Sequence, residues 1–263
     1  MKAENRSRRW RCLCAYDGTE FNGWQKQKNQ ESVQNKIEQS LALIFERPIR
    51  TIGAGRTDAG VHAVGQVFHF DAAWKHPPNA LLQALRVSLP QGISPRKIEP
   101  VSSRFHAHLS SKGKRYLYRV CKGWAMPDVD RYVHSMKDRR LDFTAMNDAA
   151  QCFIGTHDFA AFSANRGNGD EEPTVRSLWR SEWRERGNEI HYITEGGGYL
   201  YKMVRSMVGA MLDVGLGRIV PEEISQILQT SQRTARVVSA PAKGLRMDKV
   251  FYRLPRRAQL IDE

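Results

Sequence analysis

The sequence predicts an α+β protein with mixed or mainly antiparallel sheets, not a doubly wound nucleotide-binding fold. Three observations carry this. Strand-like segments interleave with amphipathic helical ones. Several strand pairs read as antiparallel, most plainly the one turning at Arg186-Gly187-Asn188. And the one glycine-rich turn, Gly53-Ala54-Gly55-Arg56-Thr57-Asp58-Ala59-Gly60, is neither a phosphate loop nor a dinucleotide fingerprint.

The elements follow in order. Arg11 to Tyr16 alternates as a strand and runs into an Asp17-Gly18 turn signal. Ser32 can cap a helix reaching Phe45, with Val33, Ile37, Leu41, Ile44 and Phe45 on one stripe. Pro48 ends it, and Ile49 to Ile52 reads as a strand. Beyond the glycine turn, Gln66 to Phe70 is a strand with Phe68 and Phe70 on one face, and Pro78 to Leu89 a helix. Pro90, Pro95 and Pro100 punctuate the next stretch. This places a boundary near residue 105 and divides the chain into units 1–105 and 106–263. His106 and His108 flank Ala107 in a strand-like segment. Lys114 to Cys121 is a basic, aromatic strand and Phe143 to Phe153 a helix. Asn165 to Pro173 is polar and without apolar period, as a surface loop would be. Val175 to Arg184 and Glu189 to Thr194 form a hairpin. Leu200, Met203, Val204, Met207, Val208, Met211 and Leu212 make the stripe of a helix. Pro221 suits the first turn of another. Met247 to Tyr252 closes as a strand.

The chain has 263 residues and 41% apolar side chains, enough for one large domain or two medium ones with a real core. No run approaches a membrane span, and no apolar stretch of signal-peptide length follows the basic N-terminus, so the expected compartment is the cytoplasm. Net charge is +13, a self-repulsion that points to a polyanionic partner, nucleic acid first. Cys12, Cys14, Cys121 and Cys152 lack zinc-ligand spacing and read as free thiols.

Three sets of residues could carry chemistry. The glycine turn displays Asp58, Arg56 and His62. An Arg two residues from an Asp in extended chain can share its face and favour the ionised carboxylate that a nucleophile requires. The same turn also suits a plain structural role, with Thr57 and Asp58 capping it. In Lys112-Gly113-Lys114-Arg115-Tyr116-Leu117-Tyr118-Arg119, Tyr116 and Tyr118 face one way and Arg115, Leu117 and Arg119 the other. That suits base stacking with phosphate-binding cations, or an ordinary strand with core tyrosines. Lys202 and Arg205 lie off the helical stripe about 60° apart. Arg205 sits at the stripe's border, where a half-buried guanidinium either meets an anion or snorkels to water. Gly209 either admits a close neighbour or packs. No Gly-x-Ser-x-Gly elbow supports a serine hydrolase.

Gly55-Arg56-Thr57-Asp58-Ala59-Gly60-Val61-His62-Ala63 with Gly65-Gln66-Val67 closely resembles the signature of the tRNA pseudouridine synthase A (TruA) family. Further blocks are similar, in the family's order: Tyr16-Asp17-Gly18-Thr19 through Ser32-Val33-Gln34, Arg104-Phe105-His106-Ala107, and Lys114 to Tyr118. Gly155 to Phe159, Met203 to Gly209, and Ala240-Pro241-Ala242-Lys243-Gly244-Leu245 complete the set. Tyr199 departs from the commoner Phe. The resemblance implies two units around a basic RNA-binding cleft, with the active site between Asp58 from the first and Tyr116 and Arg205 from the second. It implies conversion of uridine to pseudouridine at positions thirty-eight to forty of the tRNA anticodon stem-loop. Asp58 would be the nucleophile, on C1′ of the ribose or C6 of the base. Tyr116 would stack on the target base, and Arg205 would pair with the aspartate. Arg56 would hold the extruded nucleotide, with Lys202 and His62 as further substrate contacts. It implies no cofactor, no metal, no membrane, and a homodimer. The alternative is a noncatalytic RNA-binding protein or chaperone on the same fold.

Overall fold

The computed structural model describes residues 7–164 and 173–260. The loop expected from Asn165 to Pro173 lies, but for Pro173, outside the described residues. In chain order the elements are β1 (Arg8–Tyr16), α1 (Val33–Phe45), β2 (Ile52–Gly53), β3 (His62–Ala72), α2 (Pro78–Ser88), β4 (Ile93–Val101) and β5 (Gly113–Cys121). Then come α3 (Pro127–Asp130), β6 (His134–Ser135), α4 (Phe143–Gln151), β7 (Gly155–Asp158), β8 (Val175–Arg186), β9 (Glu189–Gly196), α5 (Met203–Gly215), α6 (Pro221–Thr230) and β10 (Leu245–Phe251). The architecture is α+β, with mixed, mainly antiparallel pairing flanked by helices. The chain forms two compact units: Met1–Ser111 with Met247–Tyr252, and Lys112–Arg246 with Arg253–Glu263.

In the first unit the strand order is β4-β1-β3-β10, with β2 against β3. β1 is antiparallel to both β3 and β4. Its alternate residues Trp10, Cys12, Cys14 and Tyr16 are buried, as are Phe68 and Phe70 of β3. Burial holds the Cys14 thiol up at about 12, so it is inert at neutral pH. Ser32 caps α1 by accepting the Asn35 N–H. α1 buries Val33, Ile37 and Leu41, as its stripe requires.

Three differences from the sequence expectation have physical causes. Pro90, Pro95 and Pro100 read as punctuation ahead of a boundary, with no strand expected there, yet Ile93–Val101 is β4. It is the outer strand of this order, where a residue without an N–H is tolerated, and Pro95 falls where the β1 register shifts. Ile49 to Ile52 read as a strand, yet only Ile52–Gly53 pairs. Side chains from α1 take the ladder's place. Glu38 accepts the Thr51 N–H (2.9 Å), and Gln34 Nε2 donates to Thr51 O (2.8 Å). The segment around Ala107 is a turn, not a strand. Its N–H donates to His69 Nδ1 (3.1 Å), and its carbonyl accepts from Tyr252 Oη (2.9 Å).

In the second unit the order is β5-β9-β8-β7, antiparallel throughout, with β6 parallel to β5. β8 and β9 turn through Gly187 at φ 59. α5 buries almost every residue and is the unit's central helix, not the one-sided helix its stripe suggested. It starts at Met203, after Leu200 and Lys202, because Lys202 takes a left-handed conformation (φ 57). The expected helical angle between Lys202 and Arg205 therefore does not apply.

Candidate active site

In the first unit, the turn between β2 and β3 carries Asp58. Its entry is fastened by Ala54 N–H to Val67 O (2.7 Å) and by Gln66 Nε2 to Gly55 O (2.8 Å). Thr57 O accepts the Trp24 N–H (3.1 Å), and the turn closes with Val61 N–H on Asp58 O (3.1 Å). Arg56 is exposed, Thr57 buried and Asp58 half-buried, so alternate residues face opposite ways. The Thr57 hydroxyl lies 2.8 Å from the buried Tyr16 hydroxyl, and so ties the turn to β1 instead of capping it.

The chain at residues 18–23 presses on this turn. A Cβ at Gly18 would collide with Val61 O, and one at Gly23 with Thr57 O. Gly23 also has φ +80, so glycine is required there twice over. Glycines thus let two stretches of backbone touch, and every fastening named is neutral. The turn that carries the carboxylate is held by shape and by backbone hydrogen bonds.

His62 is buried. Its Nδ1 accepts the Gly18 N–H (3.0 Å). Asp17 Oδ1, 3.2 Å from that nitrogen, is engaged by Thr19 N–H (3.0 Å) and Thr19 Oγ1 (2.6 Å). His62 therefore spends one ring nitrogen on backbone that braces the Asp58 turn.

In the second unit, β5 pairs with β9 without a break from Lys114↔Gly196 to Cys121↔Glu189. Tyr116 stands opposite Thr194, 7% exposed, and its ring meets Tyr199 edge-on (5.0 Å, 81°). The Tyr199 hydroxyl lies 3.0 Å from Thr194 Oγ1. Tyr118 is fully buried and donates to Pro241 O (2.9 Å). A Cβ on Gly244 would come 2.6 Å from its ring, which explains the glycine in the C-terminal motif. Burial pushes the Tyr118 phenol well up, and the nearby Arg205 charge pulls the other way.

Arg205 on α5 is half-buried. Its Nε donates to Ala240 O (2.8 Å), while Ala240 N–H returns to Arg205 O (2.9 Å). A Cβ at Gly209 would collide with Val238 O, so the close neighbour at that glycine is this strap of chain. Arg233 fastens the strap further by donating to Val237 O (2.6 Å). Lys202 Nζ lies 5.1 Å from the Tyr201 ring.

On the other face of β5 and β9 the chemistry changes. Glu195 is wholly buried, bonded to Arg115 (2.8 Å), Arg180 (3.0 Å) and Trp179 Nε1 (3.0 Å), with Arg257 Nε at 3.4 Å. Burial alone would raise its pKa, but the hydrogen bonds from Arg180 and Arg115 outweigh it and hold it below the usual carboxylate range.

The first unit thus presents a carboxylate on a braced turn, and the second an aromatic ring and a guanidinium fixed by packing. Tyr16, Gln66, Trp24 and Tyr199 support these side chains without having been singled out as site residues. The signal that could have found Tyr16 is its even spacing with Trp10, Cys12 and Cys14 on one strand face. Among the described residues, no group of three or more His, Cys, Asp or Glu is placed to hold a metal ion, and no helix is long and apolar enough to cross a membrane.

Residues 13–108 and 149–253 match a family model described as tRNA pseudouridine synthase. A protein of Lysinibacillus sphaericus named tRNA pseudouridine synthase A is 40% identical over 248 residues, spanning 93% of this chain and 100% of its own length. One of the same name from an Exiguobacterium species is 37% identical over 245 residues, spanning 93% of this chain and 98% of its own. A chain of a solved Cbf5-Nop10-Gar1 complex is 12% identical with a TM-score of 0.36, over 90% of this chain and 57% of that one, a likeness too slight to bear on the fold.

Proposed function

The chain belongs to the tRNA pseudouridine synthase family, and from that premise we propose that it isomerises uridines at positions thirty-eight to forty of the tRNA anticodon stem-loop, with Asp58 as nucleophile. The enzyme is an isomerase. In this reaction the N1–C1′ bond breaks and a C5–C1′ bond forms. The C5 hydrogen leaves as a proton and N1 takes one up, so nothing is oxidised and no activated donor is consumed. The observation that carries the reading is the Asp58 turn. Two stretches of backbone press together through Gly18 and Gly23 to hold one half-buried carboxylate, with the neutral fastenings described above.

In this proposal Asp58 attacks C1′ of the ribose or C6 of the base. Tyr116 stacks on the base, its ring held by Tyr199. Arg205, set by Ala240, pairs with the aspartate. The exposed Arg56 holds the backbone of the extruded nucleotide, Lys202 adds a cation, and His62 braces the turn. Extruding the target costs a few kcal/mol, which attraction between the +13 chain and tRNA phosphates offsets. The enzyme works in the cytoplasm as a homodimer.

The test is tritium release from C5-labelled uridine in unmodified tRNA. The protein releases tritium, and Asp58→Asn abolishes release while tRNA binding persists. Binding with no release from the unaltered protein favours the noncatalytic RNA-binding alternative. An active Asp58→Asn removes the nucleophile assignment.

A further inference from the structure

Beyond β5 the chain runs from Lys122 to Arg140 along the surface of the second unit and closes on itself. Lys137 N–H and the Ser135 hydroxyl both donate to Gly123 O (3.1 and 2.7 Å), and Ala125 N–H donates to Ser135 Oγ (3.3 Å). This segment carries Trp124 and Met126, exposed to 64% and 68%, two large apolar side chains side by side in sequence spacing. The chain's other tryptophans are buried or half-buried.

The exposed indole is held in place. Its Nε1–H donates to Asp138 Oδ1 (3.2 Å), and Lys137 Nζ lies over its ring, 4.9 Å from the centroid. Lys137 keeps a left-handed backbone (φ 56), a conformation ordinary for glycine and costly for lysine. Strain of that kind collects at binding surfaces. The charge around the ring suits a polyanion. Arg131, Lys137, Arg139 and Arg140 are all exposed. Of the segment's three acids, Asp130 is taken by Lys243 (2.8 Å) and Asp138 by the indole. Exposed cations in this number favour a polyanion over the face of another protein, where charge is depleted at the centre.

The Lys243 pair also ties the segment to the strap that holds Arg205 through Ala240 and Tyr118 through Pro241. Cys121, just before the segment, is five residues along β5 from Tyr116. That is roughly 17 Å, or about five stacked nucleotides. We propose that Trp124 stacks on an unpaired base of the tRNA, apart from the reacting nucleotide, with Lys137 and the neighbouring arginines on its phosphates. Aromatic faces take unpaired bases of any sequence, and cations beside them take the backbone. The inference rests on tRNA being the substrate, as in the proposed function.

The experiment measures acrylamide quenching of tryptophan fluorescence in the full-length protein, with and without saturating unmodified tRNA, beside Trp124→Phe. In the unaltered protein tRNA should shield the accessible indole, and Trp124→Phe should lack that accessible component throughout. Trp124→Ala should weaken tRNA affinity about tenfold. Its single-turnover tritium release at saturating tRNA should stay within twofold. Trp124→Phe, which keeps a flat ring, should bind within about threefold of the original. Quenching that saturating tRNA leaves unchanged overturns the proposal, and decides it even if Trp124→Ala does not fold. So does Trp124→Ala affinity within twofold of the original. A fall in sedimentation mass for Trp124→Ala overturns it too, since a second copy then covers the ring. If the unaltered protein releases no tritium, the isomerase reading fails by itself, because quenching and affinity still report on Trp124.

Discussion

The two units hold their key side chains by opposite means. In the first, Asp58 rides on a turn fixed by glycine contacts, backbone hydrogen bonds and two neutral hydroxyls. In the second, charge does much of the holding, but only on one face of the sheet. Arg115, Arg180 and Arg257 gather on Glu195, and Arg119 and His191 on Glu189. The other face keeps tyrosines, Thr194 and the cation of Lys114.

Substitutions can break or sharpen this contrast. The largest effect belongs to Asp58→Asn, where turnover falls by at least about a thousandfold, Tm stays within a degree or two, and tritium release reads the loss. Next is Glu195→Gln, which removes a buried carboxylate from the partly buried Arg115 and Arg180 and costs about 3 kcal/mol of stability in denaturant unfolding. Turnover at a temperature where the variant is folded stays within twofold. A large loss of turnover there would show that the ionic frame is part of the site.

The pH dependence of that pair has a definite sign. Glu195 has a lowered pKa in the folded chain, so its contribution is complete above the ordinary carboxylate value of 4.5. It fades as pH falls through the folded value. The Tm gap between the original and Glu195→Gln should therefore be widest near neutrality and close below about pH 4.5.

Gly23→Ala comes next, costing about 2 kcal/mol through its collision with Thr57 O and its left-handed backbone. Turnover should fall more steeply than stability, because Thr57 adjoins Asp58. Tyr16→Phe is smallest, at about 1 kcal/mol for one hydrogen bond to Thr57, measured by Tm and by turnover together. Equal turnover in both variants and the original would mean that the turn's position does not matter.

Much of this was legible in the sequence because the forces involved are local. Ser32 announces the first helix, and its hydroxyl is found on Asn35 N–H. The density of glycines around Asp58 announces a place where backbones meet, and strand alternation puts Tyr116 and Tyr118 on one face. What was hidden depends on partners distant in sequence. β4 carries prolines that only its outer position allows. Thr51 gives up its ladder to Glu38 and Gln34 of a helix. Lys202 turns left-handed and shortens the helix expected from Leu200.

The return of Met247–Tyr252 to the first unit bears on how the chain is made. The two units interleave along the chain, the second resuming at Arg253, so β3 waits for its β10 neighbour until residues 112–246 have been made. A chain cut short before Met247 would leave the first unit missing a strand, and no single cut would yield two whole units. The turn that carries Asp58 is made well before the strand that completes its unit.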